Sequence, residues 1–165
     1  MAEITRYSLV YVAAEDRLAL DAEDAEGETL RLWLTQRLCR GLVGALIPML
    51  QKAAARRLPT QPDSTAQAWE QAAAMQDFGK VPAVRAGAES VTGLVQTVHI
   101  SPAGGRVRLT FEFGDRSRVI AVTLPALRQT LAVMHRQYVA AGWPLDLWPA
   151  WIADPAAEAA AGPAN

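Results

Sequence analysis

The chain has 165 residues, 51% of them apolar and 20% charged, with a formal net charge of −1. This is enough chain for one domain with a real core, and the composition excludes wholesale disorder. The near-neutral total excludes a global field that would draw the protein to nucleic acid or to an anionic membrane.

Cys39 is the single cysteine, so no intramolecular disulfide can form, and a reducing, cytoplasmic setting is expected. The opening residues Met1 to Arg6 lack the apolar core of a signal peptide. The apolar stretch Leu42 to Leu50 is far short of a bilayer span.

In chain order, Ser8 to Ala14 reads as a first strand, with Val10, Tyr11 and Val12 in it. Arg17 to Glu23 reads as a second. There Leu18, Leu20 and Ala22 alternate with Ala19, Asp21 and Glu23, which puts the second set outward. The acidic run Asp24 to Glu28 is a hairpin tip without the ligand order of a calcium loop. Leu30 to Leu34 forms the third strand, with Arg31 and Trp33 on the face opposite the leucines. Thr35 is placed to cap a helix carrying Leu38, Leu42, Leu46, Met49 and Ala53 at helical spacing. Pro48 inside that run predicts a kink.

Residues 55–95 form a linker punctuated by Pro59, Pro62 and Pro82, with a short helix expected over Ser64 to Phe78. A connection this long should dock on the rest of the domain or act as a mobile arm. Leu94 to Ser101 then reads as a strand, and Pro102 to Gly105 as a turn. Val107, Leu109, Phe111 and Phe113 alternate with polar residues in the next strand, and Arg118 to Val122 is the last one. Thr123 caps a helix that tolerates Pro125 in its first turn and ends at Gly142. Residues 143–152 hold three tryptophans and two prolines and read as a strap, and residues 154–165 read as a flexible tail.

Two stretches repeat this order. Residues 8–54 and 96–142 both run strand, strand, strand, helix, offset by 88 or 89 positions. Arg17 to Leu20 corresponds to Arg106 to Leu109, and Leu30 to Thr35 to Arg118 to Thr123. Helical Cys39, Val43, Leu46, Leu50 and Ala53 fall opposite Leu127, Leu131, Met134, Tyr138 and Ala141. The expectation is one α+β domain over residues 1–153, built from internally duplicated βββα units with a pseudo-two-fold relation. Its antiparallel sheets would pack on two helices through Leu18, Leu20, Leu30, Leu32, Leu34, Val107, Leu109, Phe111, Ile120 and Val122.

No catalytic constellation stands out. His99 and His135 lack partners at ligand spacing, so no metal is expected. Cys39 sits beside an apolar helical stripe and reads as a small hydrophobe. There is no phosphate loop, nucleophile elbow or dinucleotide fingerprint, so no cofactor is expected.

Charge is distributed unevenly. Met1 to Arg57 holds eight basic and eight acidic residues, while Arg85 to Gly142 holds seven basic and three acidic ones. Arg106, Arg108 and Arg118 are the candidate basic contacts, and Trp143, Trp148 and Trp151 the aromatic ones. The first reading is therefore a non-enzymatic interaction or assembly module whose partner is another protein or a second copy.

In architecture alone, tandem strand-rich units each followed by a helix resemble the PUR and Whirly type of nucleic-acid binder. Those use four strands per unit where three are read here. The resemblance implies single-stranded nucleic-acid binding through charge and stacking aromatics. Arg106, Arg108, Arg116 and Arg118 would supply the charge, while Phe111 and Phe113 face inward. A third reading is an enzyme or small-ligand binder with its site in the cleft between the units.

Overall fold

The computed structural model describes residues 2–161. The chain forms an α+β fold with two sheets and five helices among those residues. Strands β1 (Ile4–Val12), β2 (Arg17–Asp24) and β3 (Thr29–Leu34) make an antiparallel meander that runs into helix α1 (Gln36–Arg57). Helix α2 (Asp63–Met75) and the short strand β4 (Val91–Leu94) follow. A second meander, β5 (Thr97–Ala103), β6 (Arg106–Phe113) and β7 (Arg116–Thr123), runs into α3 (Leu124–Ala141). Helices α4 (Ala150–Ala153) and α5 (Pro155–Ala161) close the described chain.

Local chemistry accounts for the elements. The β5–β6 turn places Gly104 at φ 55° and Gly105 at φ 80°. Two consecutive left-handed residues make the turn that matches the twist of a hairpin, and glycine adopts them without a Cβ penalty. Thr35 and Thr123 each accept an amide of the following helix, from Leu38 at 3.2 Å and Ala126 at 3.3 Å. Helix α1 runs unbroken through Pro48, and α3 ends on left-handed Gly142.

The single strand expected from Leu94 to Ser101 is divided, and its two parts serve different sheets. β4 lies parallel on β3, pairing Leu30 with Val91 through Trp33 with Leu94. The Val95 amide then donates to the Trp33 carbonyl, and the Gln96 amide to the Glu112 carbonyl, as the chain crosses to β6. A Cβ on Gly93 would come within 2.5 Å of the Phe113 ring, so β4 can approach this closely only with glycine there. On the opposite side Glu3 bridges Val119 in parallel, and the Val119 amide donates to the Ala2 carbonyl. The two sheets are thus stitched together at two seams.

The enclosed apolar faces meet α1 and α3. Leu9 faces Leu20 and Leu32 across the first sheet, and Val107 and Leu109 face Val122 and Ile120 across the second. All of these belong to one buried cluster with Leu46, Leu50, Leu127 and Leu131. At roughly 25 cal/mol per Å² of apolar area, this burial is the main term holding the two sheets together.

The linker docks. Its helix spans Asp63–Met75 and lies across α1 and α3. Gln67 donates to the Leu50 carbonyl at 3.4 Å and Gln71 to the Arg128 carbonyl at 3.0 Å. Arg128, only 3% exposed, donates to the Gln67 side-chain oxygen at 2.7 Å and lies over the Trp151 ring. Burial pushes its pKa down to about 10.

The rest of the linker covers the outer face of the first sheet. The Val84 amide donates to Ser8 Oγ on β1 at 2.8 Å, and the Ala86 amide to the Asp21 carboxylate on β2 at 3.2 Å. Ser90 then shares a 2.6 Å hydrogen bond with Thr29 on β3. Ala19 and Asp21, which alternation puts on the outward side of β2, are consequently buried. Asp21 is satisfied by a two-bond pair with Arg31, both bonds at 2.7 Å.

The C-terminal segment packs back on α3. Trp143 meets Tyr11 and Tyr138 edge-on, and Trp148 meets Tyr138 and His135. Trp143 Nε1 donates to the Asp16 carboxylate at 3.0 Å, and Arg40 grips Asp146 with two bonds. Residues 155–161, read from the sequence as tail, form α5 against α2, and residues 162–165 lie outside the described residues.

Candidate partner-binding surface

The residues singled out from the sequence fall in three different places. Arg106 and Arg108 stand exposed on β6. They share the outer face of the second sheet with Thr97, His99 and Ser101 of β5 and with Ala121 and Thr123 of β7. Alternation puts them there, because Val107, Leu109 and Phe111 take the inner face. Neither arginine has an ion pair among the described residues. Glu112, on the same face, is engaged by His99 at 3.0 Å.

Arg118 points the other way. It pairs with Phe111 and has the parity of Ile120 and Val122, so its side chain enters from the inner face. It is 8% exposed, hydrogen-bonded to Glu28 and 3.4 Å from the Asp24 carboxylate. Arg116 reaches the same Glu28 at 3.0 Å. Asp24 Oδ1 meanwhile accepts the Glu26 and Glu28 amides and shapes the β2–β3 turn. This cluster ties the hairpin tip of the first sheet to the β6–β7 turn end of the second. Charges buried in such a place are held for one another and are not offered to a partner. Arg118 therefore leaves the outward basic face on which the sequence reading placed it.

Trp143, Trp148 and Trp151 are 6%, 9% and 4% exposed. Their faces are spent on Tyr11, Tyr138, His135 and Arg128. The sequence cannot distinguish a strap that buries its tryptophans from one that displays them, since both need the same residues.

The outer face of the second sheet carries no phenylalanine, tyrosine or tryptophan, and the exposed His99 ring is the aromatic side chain on it. The apolar core between the sheets and helices is nearly filled, while wider grooves of about 520 and 590 Å³ lie along β1 and β7 and along α1 and β5. The void lined by Leu9, Leu20, Leu109, Ile120 and Leu131 measures about 20 Å³. That is about one water-sized sphere with apolar walls.

Cys39 is fully buried, and desolvation pushes its thiol up to about 12, so the thiolate that would make it a nucleophile is not formed near neutrality. The pKa of His135 is lowered by burial and then by Arg136, which favours the neutral ring against Trp148. Among the described residues no group of three His, Cys, Asp or Glu side chains is gathered to hold a metal ion. Nor is any described helix long and apolar enough to cross a membrane. No family model, curated protein or solved structure matches the chain.

Proposed function

We propose that the protein is a non-enzymatic interaction module that takes an acidic protein partner on the outer face of β5, β6 and β7. One observation carries this reading. The outer face of the first sheet is roofed by residues 84–90, whereas on the second sheet Arg106 and Arg108 stand exposed without counter-charges among the described residues. Two unpaired cations on a rigid sheet attract an acidic surface and fix its register. Trp143, Trp148 and Trp151 enter this reading as the packing that holds the C-terminal segment on α3. The free, buried Cys39 fits a reducing compartment, and the cytoplasm is the setting we propose.

We also read the fold as a duplicated βββα unit. Each meander runs into a helix capped by a threonine, and the segment before each meander lies parallel on the last strand of the other one.

The test is binding of fluorescent poly-glutamate and of oligothymidylate to wild type and to the Arg106→Glu, Arg108→Glu double variant, across a salt series. Saturable poly-glutamate binding that the double variant loses is the expected result. Binding of oligothymidylate alone, falling steeply with salt, would hand the face to nucleic acid instead. Light-scattering mass at low and high salt separates a foreign partner from self-assembly.

A further inference from the structure

Four strand edges lie at the rims of the two sheets, and the chain treats them differently; that of β4 is only four residues long, too short to template much pairing. The free edge of β1 is engaged: the Tyr11 amide donates to the Gln137 side chain at 2.8 Å. Residues 77–83 also lie along the groove between β1, β7 and α3. The free edge of β7 takes the bridge from Glu3. The free edge of β5 has no hydrogen-bond partner among the described residues over its seven residues.

Beneath that edge lies a groove of about 590 Å³. Its floor is one stripe of α1, formed by Leu38, Gly41, Leu42 and Ala45 at helical spacing. Its wall is the half-buried pair Val98 and Ile100 of β5. Small residues keep the groove open, and a Cβ on Gly41 would meet no heavy atom within 4 Å. The one ionisable residue lining it is Arg37, which is exposed and has no ion pair among the described residues.

We infer that this groove is a second docking site, which takes an extended, acidic segment of a partner protein as an added strand on β5. An unpaired strand edge beside an apolar trough fits an extended backbone. The edge supplies main-chain hydrogen bonds, and the trough takes alternate apolar side chains. The sign of Arg37 selects a segment with a glutamate or aspartate at the groove end. Natural edge strands are normally guarded by charge or cover. On β5 only Pro102, near its end, acts as a guard. The site does not depend on Arg106 and Arg108, which project from the face of the sheet and not from its edge.

The experiment uses fluorescein-labelled short peptides of alternating valine and threonine, with or without a terminal glutamate, titrated by anisotropy. Gly41→Gln extends a side chain into the groove while improving the helix, so its thermal midpoint should rise as its peptide affinity falls roughly tenfold or more. Gly44→Gln is the control, since Gly44 is equally open but lies outside the groove lining. It should gain stability and bind as wild type does. Arg37→Ala should erase the preference for the glutamate-bearing peptide. The Arg106→Glu, Arg108→Glu variant should bind these peptides normally, which keeps this site distinct from the proposed face. Slowed amide exchange over residues 97–103 on binding places the added strand.

Failure of wild type to bind any of the peptides would overturn the inference. So would equal binding by Gly41→Gln. A wild-type dimer that Gly41→Gln makes monomeric would also overturn it, by showing that a second copy fills the groove.

Discussion

On the first sheet most of the outer face is roofed by the protein's own chain, and on the second β5 and β6 keep theirs exposed, with Val119 of β7 buried beside Ala2 and Glu3. The difference follows from where the linker goes. Residues 84–90 cross β1, β2 and β3 through Ser8, Asp21 and Thr29 before becoming β4. Under that cover β2 buries both faces, and an aspartate survives there only because Arg31 and the Ala86 amide satisfy it. Among the described residues no segment crosses β6 in this way, and β6 keeps the strict alternation of a half-solvated strand. Charge has different work in the two places: on the covered side it is internal cement, and on the bare side it is available to a partner.

Substitutions that sharpen this contrast separate by size. Arg118→Ala leaves Asp24 buried without its cation and cuts the link between the sheets. It should cost roughly 3–5 kcal/mol in denaturant unfolding, and a loss below about 1 kcal/mol would return Arg118 to the surface class. Trp148→Ala should cost about 3 kcal/mol or more, from the cavity left beside Tyr138 and His135. An unchanged melting temperature with weakened partner binding would instead make Trp148 a contact residue.

Asp21→Ala removes the anchor of the roof. Arg31 keeps about a third of its side-chain surface exposed and can turn to water, so about 2 kcal/mol is expected, below the cost at Arg118. Amide exchange at Ala86 should quicken in the same variant, and an unaltered rate would show that the roof is held elsewhere.

A smaller effect comes from His135. Its pKa lies below the ordinary 6.5 in the fold, so the unfolded chain binds the proton more readily. Stability should therefore decline as pH drops through about 6.5 toward the folded value, and level off below it. His135→Gln should flatten that part of the profile. The opposite slope would mean that the folded state holds the charged ring.

Smallest of all, Arg106→Ala and Arg108→Ala should each change stability by no more than about 0.5 kcal/mol while weakening acidic partners. A large stability loss at either position would show that the bare face is not bare.

Much of this was legible in the sequence. The alternation of Leu18, Leu20 and Ala22, and of Val107, Leu109 and Phe111, marked strands and their inner faces, and Thr35 and Thr123 marked two helix starts. Alternation taken strictly along β7 also groups Arg118 with Ile120 and Val122, a signal that its charge obscured. Nothing local distinguishes Asp21 from an exposed aspartate, or Trp148 from a displayed tryptophan. The Arg37 groove left no mark either, because it exists only where α1 passes beneath β5.

By itself, then, the sequence determined the two meanders with the long helices that follow them, the inner faces of their apolar residues and the caps of those helices, but neither the division of β4 from β5 nor the helices after α3. These rest on contacts within a turn or between neighbouring strands, where spacing and side-chain chemistry suffice. Only the tertiary structure decided which outer face is covered, which arginines stay free and which edge stays open. Those outcomes depend on meetings between residues far apart in the chain, such as Ser8 with Val84 and Glu28 with Arg118. Periodicity carries no information at that range.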